Sequence, residues 1–195
     1  MPRLFTAIEI PKDTALSLSM LRGGLPGARW IDPENYHITL RFVGDVDGLM
    51  AEEIANGLAR INRPPLQLRL SGLNAFGGNK PHSVHACLQK SRQLRDLYAE
   101  QERIAQRVGL KPEGRKFIPH ITLARTRGAK GPDVAKYLAL RGSFSTLPFT
   151  VNRFVLYSSR SSVGGGPYVI EQEYPLVAKS RSPGTWDDLD HASII

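Results

Sequence analysis

The tetrapeptide His37-Ile38-Thr39-Leu40 recurs in this chain as His120-Ile121-Thr122-Leu123. The two copies begin 83 positions apart (120 − 37). Each copy lies in a segment with the apolar pattern of a β-strand, residues 36–43 and residues 117–125. An identical tetrapeptide on two similar strands of a 195-residue chain predicts a duplicated unit with one function.

Strand geometry sorts the four residues of each copy onto two faces. Residues two apart on a strand point to the same side of the sheet. His37 and Thr39 therefore share one face, and His120 and Thr122 share the equivalent face. The isoleucine and leucine of each copy point the other way, into an apolar layer. Each motif is thus predicted to be a polar pair on a rigid strand.

Two histidines and two threonines facing one cleft are suited to metal-free phosphate chemistry. Imidazole transfers protons near neutral pH, so one histidine can take a proton from water while the other protonates a leaving alkoxide. Threonine hydroxyls can donate to the non-bridging phosphate oxygens and stabilise the charge that grows there. The spacing does not assign which histidine performs which step.

Outward from the motifs, strands and helices are mixed along the chain. We expect a helix capped by Asp13 with Leu16, Met20 and Leu21 inward, and a long helix capped by Ser91. Residues 66–73 alternate apolar and polar side chains and are expected to form one half-buried strand. This material predicts an α+β fold with antiparallel sheets.

Composition bounds the class of protein. Hydrophobic residues make up 41% and charged residues 23%, which predicts a folded globular chain. A single cysteine, Cys87, excludes an internal disulfide, and the N-terminus resembles a strand rather than a signal peptide, so we expect a cytoplasmic protein with no membrane association. The net charge of +8 favours a polyanionic partner such as nucleic acid. We expect one domain over residues 1–178 and a flexible tail over residues 179–195.

The motifs resemble those of the two-histidine phosphoesterase superfamily. Their flanks resemble the bacterial and archaeal RNA 2′,3′-cyclic phosphodiesterases, also called 2′-5′ RNA ligases, and the resemblance runs over roughly residues 3–177. It is carried by residues 3–8, by residues 35–44, by residues 117–125, and by Leu156-Tyr157-Ser158-Ser159 with Tyr168.

The resemblance implies a two-lobed fold with pseudo-two-fold symmetry, antiparallel sheets lining a central cleft, and helices on the outside. It implies hydrolysis of RNA 2′,3′-cyclic phosphate ends to 2′-phosphomonoesters. His37 would be the proton donor to the leaving 3′-oxygen, and His120 would be the proton acceptor that activates water. Thr39 and Thr122 would hold the phosphate. The expected partner is RNA or an oligonucleotide with a cyclic phosphate end, and we expect a monomer.

Two arginines are further candidates for substrate binding. Arg41 is four residues after His37, on the same face of a regular strand, and could reach a phosphate. Arg125 is five residues after His120, so a regular strand would turn it away, although a β-bulge could restore it. Its position also matches an arginine of the family pattern.

No cofactor or metal is expected. His82 and His85 form a His-x-x-His pair, and no Asp or Glu stands nearby in the sequence to complete a metal site. The glycines at 164–166 lack the following lysine of a phosphate-binding loop.

Two alternatives stay open. One is a related enzyme that acts on small cyclic nucleotides or on 2′-5′-linked oligonucleotides, with possible ligation. The other is an RNA-binding module whose motifs bind phosphate without turnover. A long basic cleft would favour RNA, a closed pocket would favour a small molecule, and loss of turnover in His120→Ala would separate catalysis from binding.

Overall fold

Two strands at the centre of one antiparallel sheet carry the two motif copies. The computed structural model describes residues 3–159 and 166–177. The strands are β1 (Arg3–Glu9), β2 (Arg29–Trp30), β3 (His37–Asp45), β4 (Leu66–Leu68), β5 (Leu70–Phe76), β6 (Ser83–Leu88), β7 (His120–Arg125), β8 (Phe149–Val151), β9 (Arg153–Ser159) and β10 (Tyr168–Pro175). The helices are α1 (Lys12–Ser19), α2 (Gly48–Leu58), α3 (Arg92–Arg107) and α4 (Gly131–Arg141), with a 3₁₀ turn at Pro33–Asn35.

The strand order shows how the two halves are related. The main sheet runs β10-β9-β1-β3-β7-β6-β5, with β2 paired to β7, and β4 and β8 form a separate two-stranded sheet. Outward from the centre, β3, β1 and β9 on one side correspond to β7, β6 and β5 on the other. The two central strands join at one registered pair, Ile38 opposite Ile121. The predicted α+β fold with two antiparallel halves is confirmed.

The helices cover the face of the sheet that bears the apolar side chains of the motifs. Helix α3 packs on β3 and on α2, whereas α4 packs on β5. Ile38 and Ile121 are fully buried, as are Leu94 and Leu97 of α3. Truncating such a side chain to alanine typically costs about 2–5 kcal/mol. The buried isoleucines therefore fix the motif strands to the layer of helices.

The start of α3 agrees with the prediction, whereas the inward face of α1 does not. Ser91 accepts a hydrogen bond from the Leu94 N–H at 3.2 Å, as expected of an N-cap. In α1 the predicted cap is wrong, because Asp13 lies inside the first turn and makes no cap bond. Leu21 is buried as predicted, whereas Leu16 and Met20 are 64% and 74% exposed and Leu18 is buried instead. Two apolar stripes compete on this short helix, and tertiary packing selects the second.

Residues 66–73 do not form one strand. The chain leaves β4 at Arg69 and enters β5 at Leu70, so the two pieces belong to different sheets. The segment before β8 contacts the chain where it passes from β4 to β5. Arg69 Nε donates to the Thr146 carbonyl at 2.9 Å, and the Leu70 N–H donates to Thr146 Oγ1 at 3.1 Å. The predicted alternation of buried and exposed side chains is therefore present, but the division into two strands depends on a segment that is distant in sequence.

In the described part of the chain, no helix combines the length and the apolar character needed to cross a membrane. The predicted flexible tail, residues 179–195, lies outside the described residues, as do Gly164 and Gly165 of the predicted connection.

Candidate active site

Both motif histidines are the first residues of their strands and are held in the same way. His37 Nδ1 lies 2.8 Å from the Asn35 carbonyl oxygen, and His120 Nδ1 lies 2.7 Å from that of Ile118. A carbonyl oxygen can only accept, so Nδ1 carries the hydrogen in both rings. This leaves Nε2 of each ring as the atom that can give a proton to a substrate or take one from it.

The register of the central strands brings the four motif side chains together. Ile38 is paired with Ile121 in an antiparallel arrangement. Continuing that register by one residue places His37 opposite Thr122 and Thr39 opposite His120. All four line one cleft of about 930 Å³. The two imidazoles therefore occupy diagonal corners of the site, and each has a threonine across from it.

A β-bulge follows the threonine in each motif strand. Thr6 and Ala7 of β1 pair with Arg41 and Thr39, so Leu40 is the extra residue in β3. Val84 and His85 of β6 pair with Ala124 and Thr122, so Leu123 is the extra residue in β7. The six residues from each histidine onward accordingly show the same order of buried and half-buried positions and end in an exposed one. The bulge shifts the next side chains to the opposite faces.

These bulges place the side chains of Arg125 and Arg41 on opposite faces of the sheet. Arg125 is returned to the histidine face and lines the cleft, as the conditional prediction allowed. Arg41 is turned to the opposite face, so the prediction that it shares a face with His37 is wrong. Its guanidinium donates from Nε to Glu102 and from Nη2 to the Lys111 carbonyl at 2.7 Å. Phe42 takes the place in β3 that Arg125 has in β7, and its side chain lines the cleft.

Aromatic rings surround His37. The ring of Tyr168 meets it edge-on at a centroid distance of 5.0 Å, and those of Phe5 and Tyr157 lie 5.4 and 6.0 Å away. Burial among these rings lowers the pKa of His37, and the charges of His120 and Arg125 lower it further against the bond to Asn35. A bound phosphate anion would oppose these effects and favour the protonated ring.

His120 lies against Phe76 and a third histidine that the motif does not contain. The His85 ring is 5.0 Å from that of His120 and stacks on Phe76 at 4.1 Å. His85 is buried, and burial lowers its pKa to about 4, with His120 adding to the shift. Burial also lowers the pKa of His120 itself, as does Arg125. Alternation along residues 83–88 puts His85 on the strand face opposite Val84 and Ala86, and the pairing of β6 with β7 then places it beside the site.

The His82 and His85 pair does not form part of a larger ligand cluster. Among residues 3–159 and 166–177, no group of three or more His, Cys, Asp or Glu side chains converges as a metal site would require. His82 lines the cleft, whereas His85 packs behind Phe76.

Cys87 lies directly across from His120 in the register of β6 and β7. Burial raises the pKa of this thiol, which keeps it in the protonated form. A thiol is a poor nucleophile compared with a thiolate. The protonated thiol is therefore poorly suited to act as a nucleophile.

Cationic side chains outnumber anionic ones among the described residues of the cleft. The cations are Arg3, Arg115, Lys116 and Arg125. Glu113 contributes a carboxylate that contacts Arg115. Phe42 and Phe76 are among the aromatic side chains that line the cleft, and their rings can stack on a base. Such a cleft complements a phosphate-rich ligand that carries flat rings.

Curated relatives are similar in sequence to this chain over most of its length. An RNA 2′,3′-cyclic phosphodiesterase of Aeropyrum pernix is 38% identical over 166 residues, which cover 84% of this chain and 94% of that protein. An RNA 2′,3′-cyclic phosphodiesterase of Thermotoga maritima is 30% identical over 179 residues, covering 88% and 94%.

Solved structures share the fold. The crystal structure of Escherichia coli LigT complexed with 3′-AMP superposes with a TM-score of 0.71 and 25% identity, covering 90% of this chain and 99% of that one. A Thermus thermophilus protein at 20% identity superposes with a TM-score of 0.77, over 91% of this chain and all of the other, and supports the fold alone.

The family model described as LigT like phosphoesterase matches residues 8–85 and 88–168, which include both motif strands and both bulges. With the two histidines at diagonal corners of one cleft and relatives aligned along nearly the whole chain, this protein belongs to the LigT-like phosphoesterase family of enzymes.

Proposed function

We propose that this protein hydrolyses RNA 2′,3′-cyclic phosphate ends to 2′-phosphomonoesters by metal-independent acid–base catalysis between His37 and His120. The observation that carries the proposal is the pair of imidazoles with Nδ1 fixed by backbone carbonyls and Nε2 left for the substrate. The names of the curated relatives support the substrate class.

In the proposed reaction, His120 Nε2 takes a proton from a water molecule as its oxygen attacks phosphorus. The bond between phosphorus and the 3′-oxygen breaks, and His37 Nε2 gives its proton to that oxygen. The ring opens to a 2′-phosphomonoester and a free 3′-hydroxyl. The site starts with His37 protonated and His120 neutral and ends with the reverse, and exchange with solvent resets it.

The remaining cleft residues hold the phosphate. Thr39 and Thr122 lie beside the histidines and can each donate a hydroxyl hydrogen to a non-bridging oxygen. Arg125 adds a positive charge to the same cleft, which complements the anionic ring and the negative charge of the transition state. Arg41 has no part in this step because its side chain points to the other face of the sheet.

The test is incubation of the purified protein with a short RNA that ends in a 2′,3′-cyclic phosphate, in the presence of EDTA. The terminus formed is compared with 2′-phosphate and 3′-phosphate standards and treated with a phosphatase. The proposal predicts a 2′-phosphate. A 3′-phosphate would mean that the other ring bond breaks and that the assigned leaving group is wrong.

His120→Ala separates catalysis from binding. It should abolish turnover while the RNA still binds, since the threonines and Arg125 remain. Turnover equal to that of the unaltered protein would refute the role of His120. RNA binding without turnover in the unaltered protein would support a binding module instead.

A further inference from the structure

A buried ion pair on the helix side of the sheet is not used by the proposed chemistry. Arg41 of β3 donates from Nε to Glu102 of α3, and the two side chains are only 8% and 14% exposed. Burying two charges carries a desolvation cost that good geometry must offset. Both groups accordingly have further hydrogen bonds, and those bonds reach a third segment of the chain.

That third segment is the start of residues 111–117. Arg41 Nη2 donates to the Lys111 carbonyl at 2.7 Å, and the Glu113 N–H donates to Glu102 Oε1 at 3.0 Å. Burial alone would raise the pKa of Glu102, but hydrogen bonds from Gln106 and Glu113 and the charge of Arg41 outweigh burial and lower it. The carboxylate is therefore charged at neutral pH, and the ion pair is intact under working conditions.

Residues 111–117 form a wall of the cleft just before His120. Arg115, Lys116 and Phe117 line the cleft. Tyr98 of α3 stacks on Phe117 with a centroid distance of 4.1 Å and an interplanar angle of 2°. Helix α3 thus holds both ends of the wall, and the ion pair fixes the wall to the strand that carries His37.

The cations on this wall suit a ligand with more than one phosphate. The reacting phosphate already has the motif residues and Arg125, and each further nucleotide of an RNA adds one phosphate. Arg115 is 85% exposed and lies 3.4 Å from Glu113. Glu113 is 23% exposed, but solvent around the arginine screens the pair, so a phosphate can replace the carboxylate at small cost.

We propose that Arg41 and Glu102 are positioning residues that set the wall so that Arg115 and Lys116 bind phosphates of the nucleotides preceding the cyclic end. This inference rests on the proposed function and adds a substrate class to it: RNA of at least two nucleotides is preferred over a mononucleotide 2′,3′-cyclic phosphate.

The experiment measures kcat and KM for substrates of one, two and five nucleotides, each ending in a 2′,3′-cyclic phosphate. One variant removes the wall cations, Arg115→Ala with Lys116→Ala. A second, Arg41→Met with Glu102→Met, removes both buried charges together so that neither is left unpaired. The control, Arg63→Met with Glu100→Met, removes an ion pair that also involves α3 but does not contact the wall.

In the unaltered protein, kcat/KM should rise about tenfold from one nucleotide to five, mainly through KM, because more phosphates are bound. In both test variants the loss of kcat/KM should grow with the length of the substrate, so that the gain from one nucleotide to five disappears. For the longest RNA, the slope of log KM against log salt should become shallower by about 0.7 for each phosphate that the variant no longer binds. The control should retain both the gain and the salt dependence.

Turnover without any effect of length in the unaltered protein would overturn the inference and leave the proposed function standing. So would a length effect that survives in Arg41→Met with Glu102→Met, or an equal loss on all lengths in that variant. Absence of turnover on every substrate would instead refute the proposed function, and the inference would fail with it.

Discussion

The proposed reaction depends on the protonation states of two imidazoles. It needs His37 protonated and His120 neutral, and kcat/KM reports the pKa values of the free protein. Burial and Arg125 lower both pKa values below the ordinary value for histidine. As pH rises, His37 loses its proton early, so kcat/KM should be bell-shaped and fall on the alkaline side before neutral pH is passed.

Removing the positive charge of Arg125 should move this profile in a known direction. In Arg125→Gln both pKa values rise, because a nearby cation no longer disfavours the imidazolium forms. Both limbs of the kcat/KM profile should shift to higher pH, and its maximum should fall. The control is Arg127→Gln, an exposed arginine outside the cleft. Unmoved limbs in Arg125→Gln would contradict the electrostatic account.

The threonine hydroxyls should matter most in the transition state. Thr39→Val or Thr122→Val removes one hydrogen-bond donor to the phosphate, and kcat should fall about 100-fold. Thr150→Val, at an exposed position in β8, is the matched control and should leave kcat unchanged. The kcat of each variant is measured by steady-state kinetics on one RNA substrate. A fall in kcat of less than about threefold in both cleft variants would show that the threonines do not stabilise the transition state.

At the scale of elements, the contact between α2 and α3 supports the strand of His37. A Cβ added at Gly57 would lie 2.6 Å from Ile104 Cγ2. Gly57→Ala gains about 1 kcal/mol of helix propensity but overpacks the helix contact by about 1–3 kcal/mol. The free energy of unfolding in urea should therefore fall by about 1 kcal/mol.

Gly48→Ala is the control for that prediction, because an added Cβ there meets nothing within 4 Å. It should change the free energy of unfolding by less than about 0.5 kcal/mol. A Gly57→Ala protein more stable than Gly48→Ala would show that the two helices separate easily.

Elements also show where sequence reasoning succeeds and where it cannot. Alternation on the motif strands correctly places the histidines and threonines on one face, since a period of two needs only local information. The bulges at Leu40 and Leu123 depend on β1 and β6, which are distant in sequence. For that reason alternation alone predicts the wrong face for Arg41 and places Arg125 only conditionally. His85 enters the site through strand pairing, which no single segment specifies.

For the whole molecule, the two central strands join at one registered pair, and in the proposed reaction each half supplies one catalytic histidine. The two imidazoles can perform both proton transfers, so no metal-bound water is required. Dialysis against EDTA should leave the rate on an RNA with a 2′,3′-cyclic phosphate end unchanged. A loss of rate that is restored by adding a divalent metal ion would contradict the acid–base account.

A substrate in which sulfur replaces the 3′-oxygen of the cyclic phosphate distinguishes the acid from the base. A thiolate leaves without protonation, because a thiol is far more acidic than a sugar hydroxyl. If His37 is the acid and His120 the base, His37→Ala should cleave this substrate at close to the unaltered rate while remaining inactive on the oxygen substrate. His120→Ala should be inactive on both. Rescue of His120→Ala, or of neither variant, would contradict the division of labour between the two halves.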